Sequence, residues 1–81
     1  MNKEKMRVEM YVSNNWGSPD MKNIIMKNEE RRNKPFSKIG RYYFNDGLTV
    51  NQISEITNYS NTYVRQIIED IECIVYNRFD L

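Results

Sequence analysis

The chain has 81 residues, of which 40% are hydrophobic and 28% are charged, and its formal net charge is +1. A chain of this length and composition is expected to form one globular domain with a small core. It contains no histidine and a single cysteine, which excludes an internal disulfide framework, a zinc site and a histidine-dependent nucleophilic centre within one chain.

Other catalytic and membrane signals are also missing from the sequence. The glycines, Gly17, Gly40 and Gly47, are far apart and form no phosphate-binding loop. The carboxylates are scattered, so we expect neither an enzyme nor a bound cofactor. No apolar run has the length of a membrane span or a signal peptide, which predicts a cytoplasmic protein with no membrane partner. Cys73 is expected to be a small buried hydrophobic residue.

The two ends of the chain carry weak strand signals. Residues 7–12 alternate between polar and apolar side chains, with Val8, Met10 and Val12 on one side. This alternation predicts a short β-strand, with a turn of helix as the alternative. Residues 76–81 either extend the last helix or form a strand that pairs with the first one, within one chain or exchanged between two chains.

Two helices are predicted in the middle of the chain. Residues 18–20, Ser-Pro-Asp, supply a cap, a proline at the first helical position and an acid in the first turn. This helix is expected to end at residues 32–33, before the Lys-Pro pair at 34–35. A second helix is predicted over residues 36–45, and the Asp-Gly pair at 46–47 ends it.

The stretch from Leu48 to Ile68 contains two helix starts in succession. Thr49 and Gln52 have the spacing of a capping box, and Ser60 can cap a second helix. Asn58, between them, tolerates the left-handed conformation that ends a helix in a sharp turn. The side chains expected to face inward are Ile53, Ile56 and Thr57 in the first helix, and Val64, Ile67, Ile68 and Ile71 in the second.

This stretch resembles the helix-turn-helix of bacterial and phage DNA-binding proteins. That family has a small residue, usually Ala, then a turn residue four positions later, usually Gly, and a β-branched residue six positions beyond. Here these positions hold Ser54, Asn58 and Val64. The family's buried positions also hold apolar residues in this chain, namely Ile53, Tyr59 and Ile67.

The resemblance implies a mainly α fold: a small helix-turn-helix domain of the three-helix type, with one preceding helix. Short β-strands at the two termini remain an alternative to helix there. Residues 1–81 would form one domain. In the family the second helix, here residues 61–72, lies in the major groove. The side chains expected to contact base edges are Asn61, Thr62, Tyr63, Arg65 and Gln66. Those expected to contact phosphates are Ser60, Arg31, Arg32, Lys38 and Arg41.

The distribution of charge along the chain bears on whether it can bind DNA. Residues 1–46 contain ten Lys and Arg against six Asp and Glu, whereas residues 47–81 contain two against five. An acidic half around the reading helix counts against DNA binding, because phosphate neutralisation supplies much of the affinity. DNA binding gains support if the basic segment 22–41 folds onto the same face as Arg65 and Gln66, and contact with another protein gains support if that segment lies on the opposite face.

Two functions remain as hypotheses. The first is a sequence-specific reader of double-stranded DNA, a small transcriptional regulator from a phage, a plasmid or a low-GC bacterium, with a homodimer spanning two half-sites. The alternative is a protein-interaction module on the same scaffold that binds and modulates another regulator or RNA polymerase. The acidic second half and the tyrosine content favour the alternative, because exposed tyrosines are enriched at interfaces.

Overall fold

The structure, a computed structural model, describes the backbone of residues 3–81 and the side chains from Met6 onward. The described chain is mainly helical and contains no strand, which confirms the predicted fold class at that level. None of its helices is both long and apolar enough to span a membrane. The elements are α1 (Lys3–Asn15), α2 (Pro19–Arg32), α3 (Phe36–Gly40) with a π-helical continuation (Arg41–Asn45), α4 (Val50–Thr57) and α5 (Asn61–Phe79).

The predicted N-terminal strand is wrong, because residues 7–12 belong to α1. Val8 and Val12 are buried, whereas Met10 is 61% exposed. Burial therefore recurs every fourth residue, as on a helix, and not every second residue. An alternation over only six residues fits the period of a strand and the period of a helix. Packing against α5 favours the helix.

Of the two alternatives for residues 76–81, the helix extension is confirmed and the strand is excluded, since α5 continues to Phe79 and ends at Asp80 in the left-handed conformation. The Phe79 ring lies 5.5 Å from the ring of Tyr11 in α1, measured between centroids. Ile74 and Val75 are buried, so the apolar pattern of the helix continues beyond residues 61–72, the stretch assigned to the major groove. The last two turns of α5 therefore complete the core with α1.

The start and end of α2 lie where the sequence predicts them. The Ser18 hydroxyl accepts a hydrogen bond from the Met21 amide, and Pro19 occupies the first helical position. Asn33 ends the helix in the left-handed conformation. Asn28 is buried within the helix, and its Nδ2 donates to the Ile24 carbonyl at 2.9 Å.

The helix predicted over residues 36–45 spans the expected residues but changes its geometry partway. Beyond α3, the Asp46 amide donates to the Arg41 carbonyl at 2.9 Å, five residues back. Such a π-helical turn is rare and was not predicted. Phe36 and Ile39 are fully buried, and Phe44 is 5% exposed, so the widened turn keeps Phe44 in the core.

Trp16 packs against the π-helical turn and α3. Its ring stacks on the Phe44 ring with centroids 5.8 Å apart. The ring also lies directly against Gly40, where an added Cβ would overlap its atoms. Glycine at this position is therefore required by close approach and not by its backbone conformation.

The caps of α4 and α5 form as predicted. The Thr49 hydroxyl accepts from the Gln52 amide at 3.2 Å, and the Gln52 Oε1 accepts from the Thr49 amide at 2.9 Å. Asn58 ends α4 with φ of 64°. The Ser60 hydroxyl accepts from the Tyr63 amide at 3.1 Å and caps α5.

Burial differs from the predicted pattern at three positions. Ile56 is 58% exposed, because the short α4 buries only a narrow stripe around Ile53. Tyr59, expected to be buried from the resemblance, lies beyond the end of α4 and is 37% exposed. Cys73 is exposed, because the buried side of α5 at that level is formed by Ile71 and Ile74.

Alanine substitutions at the two isoleucines of α4 test this burial pattern. Ile53 is fully buried and Ile56 is 58% exposed, although they lie three residues apart in one helix. We expect Ile53→Ala to lower the free energy of unfolding by about 2–5 kcal/mol. Ile56→Ala should change it by roughly 0.5 kcal/mol or less. Urea unfolding measures both, and equal losses would contradict the burial pattern.

Tyr43 connects the π-helical turn to α1, since its hydroxyl donates to Glu9 Oε1 at 2.7 Å. Burial, this hydrogen bond, and the negative charges of Glu9 and Glu72 raise the pKa of Tyr43 to about 12 from an ordinary value of 10.0. The unfolded chain therefore loses the Tyr43 proton at lower pH than the folded chain does. The stabilisation is present below about pH 10 and is lost as the pH rises towards 12.

We expect Tyr43→Phe to remove part of this alkaline loss of stability. Its free energy of unfolding should fall less steeply than that of the wild type between about pH 10 and pH 12. Urea titrations across this range measure the slope, and Tyr76→Phe is the matched control at an exposed tyrosine. If both variants follow the wild-type slope, Tyr43 is not the group responsible.

Candidate nucleic-acid interface

The predicted base-reading residues lie in the first two turns of α5. Asn61, Thr62, Arg65 and Gln66 are all exposed, and their spacing places them on one side of the helix. Tyr63 is half-buried, and its ring lies 4.8 Å from the Tyr59 ring. The structure therefore brings four of the five together on an open surface and packs the fifth against the turn.

Two asparagines join the first turns of α4 and α5. Asn61 Nδ2 donates to Asn51 Oδ1 at 2.8 Å, and both residues are exposed. Sequence reasoning missed Asn51, because an exposed asparagine early in a helix has many partners available. The contact places the Asn61 side chain against the first turn of α4.

A second polar chain begins at Gln66. Its Nε2 donates to Asp70 Oδ1 at 3.0 Å, one turn further along α5. The other oxygen of Asp70 lies 3.4 Å from Lys34 Nζ, which comes from the loop between α2 and α3. Sequence reasoning missed both Lys34 and Asp70 as members of this surface. Their contact joins residues 36 positions apart and leaves no local signal.

Lys38 faces a cleft beside the turn that precedes α5. The cleft has a volume of about 450 Å³, and its wall includes Lys34, Lys38 and Tyr59. Glu29 also lines it, and Glu29 Oε1 accepts a hydrogen bond from the Ser37 amide at 2.8 Å. Two lysines of the basic segment therefore lie next to the turn between α4 and α5.

The other cations of the predicted phosphate set do not line this cleft. Arg41 lines a separate cleft with Lys22 and Trp16, and its Nε is 3.9 Å from Asp46 Oδ2. Arg31 donates to Asn28 Oδ1 at 2.9 Å within α2. Arg32 is exposed in the last turn of α2. Of the four predicted cations, Lys38 is therefore the one that shares a cleft with the α4–α5 turn.

The acidic side chains of α5 differ in their contacts and in their exposure to solvent. Asp70 is engaged by Lys34 and Gln66, and Glu72 is only 8% exposed. Glu69 is exposed. The surplus of acids that the sequence shows is therefore only partly displayed at the surface of this helix.

Among the side chains that the structure describes, from Met6 onward, no group of three or more histidine, cysteine or carboxylate side chains is placed to hold a metal ion. Comparison of the chain with protein-family models, with curated proteins and with solved structures finds no match. The resemblance to helix-turn-helix proteins therefore rests on the residues of this chain alone, chiefly Ser54, Asn58 and Val64.

Proposed function

We propose that this protein reads double-stranded DNA in a sequence-specific way, with α4 and α5 acting as a helix-turn-helix and α5 lying in the major groove. The observation that carries the proposal is the exposed side of α5 formed by Asn61, Thr62, Arg65 and Gln66. Residues 60–66 contain one arginine and no acid, so this end of the helix can approach a polyanion.

The exposed side chains have the chemistry that base recognition uses. Arg65 can donate two hydrogen bonds to the O6 and N7 atoms of guanine. Gln66 can pair with the N6 and N7 atoms of adenine, and the Thr62 methyl group can contact the methyl group of thymine. These three groups distinguish different base pairs, which a uniformly charged surface could not do.

Phosphate contacts are available next to this side. By helix geometry, the amides of Asn61 and Thr62 have no acceptor within α5 and lie at the positive end of the helix dipole. Lys34 and Lys38 line the cleft beside the preceding turn. Since Lys34 is paired with Asp70, Lys38 and the helix N-terminus are the groups that support a DNA backbone running past Tyr59.

The acidic second half of the chain is a weaker objection than its charge count suggests. Asp70 is balanced by Lys34, and Glu72 is largely removed from solvent. Glu69 follows the reading residues by about one turn. Repulsion from α5 therefore falls mainly beyond the first two turns.

A single reading helix spans one half-site, and a homodimer would span two. We accordingly propose that the protein is a small non-catalytic transcriptional regulator that acts on DNA in the bacterial cytoplasm. Its gene would belong to a phage, a plasmid or the bacterium itself. Its Asn-, Ile- and Lys-rich composition favours a low-GC host.

The salt dependence of DNA binding tests the phosphate contacts. Affinity for duplex DNA should fall steeply as the salt concentration rises, and Lys38→Ala should reduce the slope of log K against log salt by about 0.9. Lys22→Ala is the matched control, because Lys22 lines the cleft on the Trp16 side. Equal slopes for the two variants would remove Lys38 from the interface, and absence of binding at low salt would reject the DNA proposal.

Arg65→Ala tests base reading. We expect this variant to lose about 1–3 kcal/mol of discrimination at one base pair, because the guanine contact is lost. Arg78→Ala removes the same charge from the last turn of α5 and should leave discrimination intact. Competition between a selected duplex and random duplex DNA measures the effect. Equal discrimination by the two variants would exclude Arg65 from base reading.

Contact with another protein is the second candidate function. Ile56 is 58% exposed, and Tyr59 is 37% exposed in the turn that follows α4. Large apolar and aromatic side chains exposed close together are typical of interfaces. On this hypothesis the chain would bind another regulator or RNA polymerase through the same turn, and it would not bind duplex DNA at low salt.

A further inference from the structure

The side-chain amide of Gln66 is held in one orientation by its neighbour. A glutamine amide can rotate by half a turn and exchange its donor and acceptor ends, because the nitrogen and the oxygen have nearly the same shape. Asp70 Oδ1 lies 3.0 Å from Gln66 Nε2. A carboxylate accepts hydrogen bonds and donates none, so only the nitrogen end of the amide can face Asp70.

Asp70 is itself held in place. Its Oδ2 atom lies 3.4 Å from Lys34 Nζ, and its side chain is 19% exposed. The contact spans 36 residues and connects the α2–α3 loop to the middle of α5. Lys34, Asp70 and Gln66 therefore form one chain of polar contacts that ends at the candidate reading surface.

This arrangement leaves a defined pattern of hydrogen-bonding groups on Gln66. One hydrogen of Nε2 is used by Asp70, and the second hydrogen and Oε1 remain for other partners. A donor and an acceptor side by side match the N7 and N6 groups of adenine in the major groove. The reversed amide would place its acceptor where N7 requires a donor.

We propose that Asp70 is a positioning residue for DNA reading: it fixes the Gln66 amide in the orientation that selects adenine, and Lys34 holds Asp70 in place. This inference rests on the proposed DNA-reading function and adds to it a residue that contacts no base. On this proposal, the negative charge of Asp70 lowers the affinity for all DNA sequences, while its contact with Gln66 increases the preference for one base pair.

The test is selection from a duplex DNA library with a randomised central segment, using the full chain and single variants. Gln66→Ala should lose preference at one adenine position and thereby identify the base pair that Gln66 contacts. Asp70→Asn keeps the shape of the side chain but can donate as well as accept, so both amide orientations become available. We expect it to lower the preference at the same position by about fivefold or more.

Glu69→Gln is the matched control, since it makes the same change of charge one residue away on an exposed side chain. Both Asp70→Asn and Glu69→Gln should raise affinity for all sequences, because each removes a negative charge near the phosphates. Only Asp70→Asn should relax the Gln66 position. In a Gln66→Ala background, Asp70→Asn should cause no further loss of preference, which a merely structural role would not predict.

The outcomes separate the inference from the function on which it rests. If the wild-type chain selects no sequence from the library, the DNA-reading function itself fails. If the wild type selects a sequence but Asp70→Asn behaves like Glu69→Gln, the function stands and the positioning role is overturned. A Gln66→Ala variant with unchanged selectivity also overturns it.

Discussion

Burial of the apolar side of α5 is the constraint on which the rest of the structure depends. Val64, Ile67, Ile71 and Val75 are fully buried, and α1, α3 and α4 all pack against this helix. Burial of this kind is the main favourable contribution to folding, and it fixes which side of α5 faces outward. The exposed side of the first two turns, around Arg65, is therefore set by the packing of the opposite side.

The same packing distributes the charges of the chain. The α2–α3 loop lies close enough to α5 for Lys34 to meet Asp70, while Glu72 is drawn towards the core. Residues 47–81 contain more acids than basic residues, but residues 60–66 contain one arginine and no acid. The net charge of this half therefore does not describe the charge of the reading surface. The proposed DNA-reading function depends on this redistribution more than on the total charge.

Local features of the fold could be predicted from sequence, and distant ones could not. The caps at Ser18, Thr49 and Ser60 were predicted correctly, because each involves residues within three positions of one another. The strand predicted at residues 7–12 was wrong, because an alternation this short does not distinguish the period of a strand from the period of a helix. In the candidate site, the exposed residues of α5 followed from helical spacing. The Lys34–Asp70 contact did not, because it depends on how separate helices pack.

The central claim is that the exposed side of α5 contacts duplex DNA. The most direct measurement is a titration of isotope-labelled protein with duplex DNA, followed by nuclear magnetic resonance of the backbone amides. We expect the largest shifts at residues 60–66 and around Lys38, with small shifts in α1. Largest shifts along α1, around the exposed Met10, or no shifts at low salt would contradict it.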